Sequence, residues 1–193
     1  TGLNYFKLRG RLSVTRPAGS ESWHIGSQEN INWTTSGNIL GVNISYSHDN
    51  GGNWTVLKTN QNGTSGTWPW DINASIITSQ IGKIRIEDVA IPTTYNDSSS
   101  TFRVLGQLIL GAPNATNITL TYNGTSAYNV SWTKNGAIAK VNVTYSTDGG
   151  ATYPSANNVT VNRTATQSPF EWTIPNEIGT SLRVNVSDYD NAE

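Results

Sequence analysis

Cysteine and methionine are both missing from this 193-residue sequence, so no disulfide holds the fold and thiols give no reading of redox compartment. Charge is scarce as well. Only 13% of residues are charged, the formal net charge is −1, and basic residues form no run, so the chain offers little to nucleic acid or to an anionic membrane. No apolar stretch approaches the roughly 20 residues of a membrane-spanning helix, and membrane insertion is not expected. No signal peptide is visible, and a chain beginning at Thr1 reads as a processed form or a fragment.

Catalytic machinery is absent by the same reading. Without cysteine there is no thiol nucleophile, and neither a Gly-X-Ser-X-Gly elbow nor a glycine-rich phosphate loop occurs. The two histidines, His24 and His48, read as turn or surface residues. The paired acids Glu87-Asp88 and Asp188/Asp190 read as solvated loop acids, because a calcium site needs about six to eight oxygen ligands. A non-enzymatic protein with no cofactor and no metal follows from these features.

Polarity comes instead from 23 Asn and 45 Ser plus Thr. Fourteen Asn-X-Ser/Thr sequons occur, at Asn32, Asn43, Asn53, Asn62, Asn73, Asn96, Asn114, Asn117, Asn123, Asn129, Asn142, Asn158, Asn162 and Asn185. That composition gives roughly five by chance from the definition of the motif. Strand alternation accounts for some, since outward positions i and i+2 on a polar face generate Asn-apolar-Thr. Asn43, Asn129, Asn142 and Asn185 fit that origin, whereas Asn62, Asn96, Asn114 and Asn123 lie in turn-like stretches. N-glycosylation is the expectation, which places the chain across a membrane, outside the cell or on its surface, in an archaeal or eukaryotic lineage.

Period-2 alternation dominates the chain and no helical period is evident. Leu40, Val42, Ile44 and Tyr46 alternate with polar or small residues, and Val141, Val143 and Tyr145 repeat the pattern. Ile31 and Trp33 match Val130 and Trp132; Val56 matches Val159 and Val161; Trp70 matches Trp172; Ile84 and Ile86 match Leu182, Val184 and Val186. The hairpin Asp49-Asn50-Gly51-Gly52-Asn53-Trp54 matches Asp148-Gly149-Gly150-Ala151-Thr152-Tyr153. Two copies of one module, each with about seven short strands, predict an all-β chain of two tandem immunoglobulin-like β-sandwich domains. Recurrence makes Trp33, Trp70, Trp132 and Trp172 core residues and leaves Trp23, Trp54 and Trp68 as candidate exposed platforms for sugar.

A finer repeat sets the boundaries. Tyr5-Phe6-Lys7-Leu8-Arg9-Gly10-Arg11-Leu12 recurs as Thr101-Phe102-Arg103-Val104-Leu105-Gly106-Gln107-Leu108, and the match continues to Pro17 and Pro113. Residues 1–9 therefore read as an N-terminal extension resembling a last strand, 10–105 as the first sandwich, and 106–193 as a second sandwich lacking its last strand. The passage Val104-Leu105-Gly106-Gln107-Leu108 leaves almost no linker, so a semi-rigid pair with a limited bend at Gly106 is expected, and Pro92 to Ser100 reads as a surface loop.

The run Pro17 to Trp23, Gly26-Ser27, Ile31-Asn32-Trp33-Thr34, Tyr46-Ser47 and Asp49 to Trp54 resembles the immunoglobulin- or fibronectin-like repeats of large prokaryotic surface proteins. A similar module occurs in a Ser/Thr-rich family of fungal cell-wall proteins. The second copy departs from it, having no counterpart of Trp23 or Gly26-Ser27 and Tyr153 in place of the hairpin Trp. The resemblance implies an extracellular spacer or assembly module strung in tandem. Combined with the spare strand, it predicts a structural subunit of an extracellular filament or surface layer. Copies would join head to tail by donor-strand complementation through Tyr5, Phe6 and Leu8, a logic like that of pilus and archaeal thread filaments. The alternatives are an adhesin or carbohydrate-binding module, and a slice of a longer repeat array.

Overall fold

Alternating sequence becomes alternating burial. In the strand Gln28–Ser36, Ile31 and Trp33 are buried while Asn30 and Asn32 face the other way. The computed structural model describes residues 6–115, 118–177 and 179–191. It divides into two compact units, Thr1–Leu105 and Gly106–Glu193, each an immunoglobulin-like sandwich.

Unit 1 contains β1 (Arg11–Arg16), β2 (Ser22–His24), β3 (Gln28–Ser36), β4 (Gly41–Ser47), β5 (Thr55–Asn62), β6 (Thr67–Asp71), β7 (Ser79–Asp88), β8 (Tyr95–Asp97) and β9 (Phe102–Leu105). One sheet has the order β1-β3-β6 and the other β2-β9-β7-β4-β5, with β8 also on β7. β2 runs parallel to β9, pairing Trp23 with Val104; the other pairs are antiparallel. Leu12, Val14, Ile31, Trp33 and Trp70 from the first sheet meet Val42, Ile44, Tyr46, Ile84, Ile86, Phe102 and Val104 from the second in one core.

Unit 2 contains β10 (Gln107–Ala112), β11 (Ala127–Asn135), β12 (Lys140–Ser146), β13 (Asn158–Thr164), β14 (Phe170–Thr173) and β15 (Arg183–Asp188). Its sheets are β10-β11-β14 and β13-β12-β15. Val130, Trp132 and Trp172 face Val141, Val143 and Tyr145 across the core. Trp33 and Trp132 do the same work, each donating its indole N–H into the sandwich floor, to the Gly63 carbonyl at 2.8 Å and the Ala165 carbonyl at 2.9 Å.

The repeat holds at atomic detail. Leu12 pairs with Thr35 and Val14 with Trp33, as Leu108 pairs with Lys134 and Leu110 with Trp132, and both pairs slip one residue later. At Gly10 a Cβ would lie 2.7 Å from Ile39 Cδ1, and at Gly106 2.7 Å from Ile138 Cδ1, so each strand enters its sandwich where only glycine fits. The hairpins agree too. Ser47 Oγ accepts from Gly51 N–H and Ser146 Oγ from Gly150 N–H, both at 2.8 Å. Asn50 and Gly51, and likewise Gly149 and Gly150, hold positive φ as the turn requires.

Several details differ from the sequence pattern. Ile39 and Ile138, at 2% exposure each, enter the core, whereas Leu40 is 73% exposed because it precedes the strand and points away. Val56 and Val161 lie on strands but face outward, and Leu57 packs on the core of unit 1 instead. Val184, not Leu182, pairs with Tyr145 as Ile84 pairs with Tyr46, so the alignment of the last strands shifts by two and Leu182 stands where unit 1 has Gly82. The stretch from Pro92 to Ser100 is no free loop. It carries β8, which pairs with β7, and buries Thr94 and Ser98.

Replacing Trp33 or Trp132 by Ala removes a buried ring together with its hydrogen bond. Each variant is expected to lose about 3–5 kcal/mol of its unit's stability, measured by denaturant unfolding; a loss under about 1 kcal/mol would contradict the core assignment.

Candidate functional site

The two sandwiches differ at one edge. In unit 1, β7 is covered on its outer side by β8 and β9, with Gly82 opposite Phe102 and Ser79 opposite Val104. Phe102 is 1% exposed and Val104 fully buried. The Phe102 ring lies 4.7 Å from Trp23 and 6.1 Å from Tyr46, centroid to centroid. In unit 2, β15 holds the place of β7, and among the described residues no strand pairs with its outer edge.

Side-chain burial records the missing cover. Ile84 and Ile86 are fully buried, and Leu12 and Val14 are 4% and 8% exposed. Their counterparts Val184, Val186, Leu108 and Leu110 are only partly buried. The rest of the wall is in place. Tyr145 and Trp172 pack with centroids 5.4 Å apart, matching 5.3 Å for Tyr46 and Trp70. Unit 2 therefore keeps the aromatic pair of unit 1 and, among the described residues, has no counterpart of β8 or β9. Leu182, which stands at the place of Gly82, is 39% exposed, whereas at Gly82 itself a Cβ would come within 3.0 Å of the Tyr46 ring and 3.2 Å of the Phe102 carbonyl.

The donor expected from sequence lies at the other end of the chain. Residues 6–10 form no strand, and Phe6 and Leu8 are each 89% exposed. They precede β1 as Phe102 and Val104 precede β10. Tyr5, the third donor residue expected from sequence, lies outside the described residues, as does the sequon at Asn117.

None of the other sequon asparagines is buried. Several have structural duties that explain their residue type. Asn43 Oδ1 accepts from Asn60 N–H at 3.1 Å and Asn142 Oδ1 from Asn162 N–H at 3.0 Å, pinning a bulge at a left-handed residue in the neighbouring strand. Asn62, Asn73 and Asn123 accept from the backbone N–H two residues on, at 3.0, 2.9 and 3.1 Å. Asn53 donates its amide to Asp49 Oδ2 at 2.7 Å, and Asn32 accepts from Thr67 Oγ1 at 2.8 Å. Asn96 lies on β8, not in a turn, and accepts from Val14 N–H at 2.8 Å. Asn114, Asn129, Asn158 and Asn185 are exposed.

Of the candidate sugar platforms, Trp23 lies in the core and Trp54 and Trp68 are partly buried. Trp23 is 2% exposed and packs on Phe102 and Trp70. Trp68 is partly buried against the core. The Trp54 ring is covered by the Arg85 guanidinium, 4.3 Å away, which also stacks 4.1 Å from Tyr95 and pairs with Asp97 at 2.7 and 2.9 Å. The sequence holds no local sign of that clamp, because its members come together only through the pairing of β7 with β8. An open recess of about 330 Å³ lies by Tyr145, Val159, Phe170 and Trp172, but Tyr145 and Trp172 are under a tenth exposed and present no stacking face.

The acids serve as turn caps. Asp88 Oδ1 accepts from Ala90 N–H at 2.9 Å and Asp188 Oδ1 from Asp190 N–H at 3.0 Å. Hydrogen bonds from Asn53 N–H and then Ser47 hold Asp49 well below the usual carboxylate range; those from Ser146 and then Thr152 do the same for Asp148. A lowered folded value stabilises the hairpins above about pH 4, and this contribution is lost as pH falls further. Among the described residues, no group of three or more His, Cys, Asp or Glu is placed to hold a metal ion, and no helix is long and apolar enough to cross a membrane.

No family model matches the sequence. No curated protein matches it either. Among solved structures, the chain is similar to the fibronectin(III)-like modules of CbhA from Clostridium thermocellum, with 15% identity over 94% of this chain and 87% of that one and a TM-score of 0.30. Strand order and pairing, not that likeness, identify each sandwich.

β9 of unit 1 has no counterpart among the described residues of unit 2. Phe102→Ala is expected to lower the stability of unit 1 by about 3–5 kcal/mol and to speed amide exchange along β7. Unchanged exchange there would mean that β9 is dispensable.

Proposed function

We propose that the protein is a structural module of an extracellular filament or surface layer whose sandwiches join head to tail through closing strands. The segment Tyr5 to Arg9 closes the sandwich ahead of unit 1, and a strand of the same pattern closes unit 2. Between separate copies this is donor-strand complementation, and because the two surfaces are different, such contacts propagate as open rows and not as closed dimers. The observation that carries the reading is the pairing of opposites: Phe6 and Leu8 at 89% exposure, and in unit 2, among the described residues, no strand at the place that β9 holds in unit 1. N-glycans on the polar faces fit the same setting, supplying hydration where charge is scarce and guarding sheet edges.

A second reading rests on the passage from β9 to β10. Phe102–Leu105 closes unit 1 and leads within one residue into Gln107–Ala112 of unit 2. In a tandem array, the strand that closes each sandwich likewise leads into the next one along a single polypeptide. Energetics separate the two readings. Burying Phe6 and Leu8 contributes roughly 3–6 kcal/mol, while ordering five residues costs about 1–2 kcal/mol each. Strand hydrogen bonds at about 0.5–1.5 kcal/mol apiece bring the sum to near balance. Between free copies the contact is weak; covalent linkage raises the effective concentration.

Native mass spectrometry of the purified chain across a concentration series, with a peptide spanning residues 1–10 as probe, tests both readings. Concentration-dependent oligomers that Phe6→Asp abolishes and Lys7→Gln spares support assembly between copies. Monomers in which the peptide stabilises unit 2, by about 2.7 kcal/mol at a hundredfold excess over its Kd, support the array. Monomers blind to the peptide overturn strand closure altogether. Material from the native source is expected to exceed the bare polypeptide mass of 20.9 kDa; a mass equal to it would remove glycosylation.

A further inference from the structure

We infer that residues 118–122 of unit 2 are the second half of the closing device, a strand that forms only when the incoming strand is in place and then runs parallel along its far edge. The inference rests on the strand-closure reading and names which segment of the acceptor responds.

Unit 1 supplies the geometry. β2 lies between β1 and β3 in sequence, and among the described residues its only neighbour in the sheet is β9. Beyond the ladder, Ile25 N–H donates to the Leu105 carbonyl at 2.9 Å, and Arg103 N–H donates to the Glu21 carbonyl at 2.8 Å. Trp23 and Ile25, two residues apart, are 2% and 1% exposed. The local sequence around them, Gly19-Ser20-Glu21-Ser22, is poor in β-formers. β9 is thus what holds this strand.

Unit 2 has the opposite combination at the same place. Between β10 and β11 stands Ile118-Thr119-Leu120-Thr121-Tyr122, which alternates apolar and polar residues and is built from strong β-formers, yet forms no strand. Ile118 is 39% and Tyr122 45% exposed, with Leu120 half-buried. A sequence with the pattern of a strand and the exposure of a coil lacks a partner. The partner that β2 has in unit 1 is β9, and among the described residues unit 2 has no counterpart of β9. That absence accounts for the unpaired Ile118 to Tyr122, while Val184 and Val186 also lack the cover that β8 gives Ile84 and Ile86. The occupant is fixed by the internal repeat. It is a strand of the pattern of residues 5–9, because residues 101–105 fill that position in unit 1.

Hydrogen exchange on the full chain carrying Phe6→Asp, which silences its own donor, tests this with the wild-type peptide of residues 1–10. Slowed exchange at both 179–182 and 118–122 on peptide binding is the expected result, because β9 pairs with Ser79 and Gly82 in unit 1. Slowed exchange at 179–182 with 118–122 unchanged overturns the inference and leaves strand closure standing. No change at either segment overturns strand closure and this inference with it. In the same background, Ile118→Ser with Tyr122→Ser changes residues that are exposed without peptide, so unfolding of the free chain is expected to be unaltered. Peptide affinity should fall about tenfold or more as their burial is lost; equal affinity would also refute the second strand.

Discussion

An edge strand in a sandwich makes two demands at once: partners for its outward N–H and C=O groups, and cover for the side chains it turns into the core. In unit 1 one short strand meets both. Phe102–Leu105 lies between β7 and β2, and its Phe102 and Val104 complete a core shared with Trp23, Tyr46 and Trp70. β8 and β9 together cover the outer edge of β7, and β9 is the ladder partner of β2. Unit 2 retains the aromatic floor, the hairpin and the glycine entry point, and differs where that strand would lie.

Much of what is repeated between the units is backbone control. Ser47 with Asp49, and Ser146 with Asp148, tie each hairpin with the same four-residue span of hydrogen bonds. Asn43 and Asn142 pin the same bulge. These duties bear on the glycan question, because an asparagine whose carbonyl oxygen organises a turn or bulge is explained without a glycan, while its exposed amide still leaves room for one. The excess of sequons thus has two sources in this chain, strand geometry and turn chemistry, and a surface coat is a proposal on top of both.

The proposed joining device places its two halves at opposite ends of the sequence, one an exposed Phe-Lys-Leu stretch and the other an uncovered groove. Bare strand edges invite indiscriminate pairing, so a dedicated match is a safeguard as well as a joint.

The sequence by itself determined the all-β class, the two-copy organisation and the core tryptophans, because period-2 alternation, paired hairpins and a 96-residue offset are local or self-referential signals. It also exposed the spare Phe6 and Leu8, since their counterparts Phe102 and Val104 lie within the same chain. Only the tertiary structure decided which apolar residues face inward at strand ends, where Ile39 outcompetes Leu40 and Leu57 outcompetes Val56. It likewise decided that Trp23 is core and Trp54 is covered. Those outcomes depend on β2 meeting β9 and on β7 meeting β8. Such contacts bring together residues some 80 and 12 positions apart, such as Trp23 with Val104 and Arg85 with Asp97, and no periodicity along the chain encodes them.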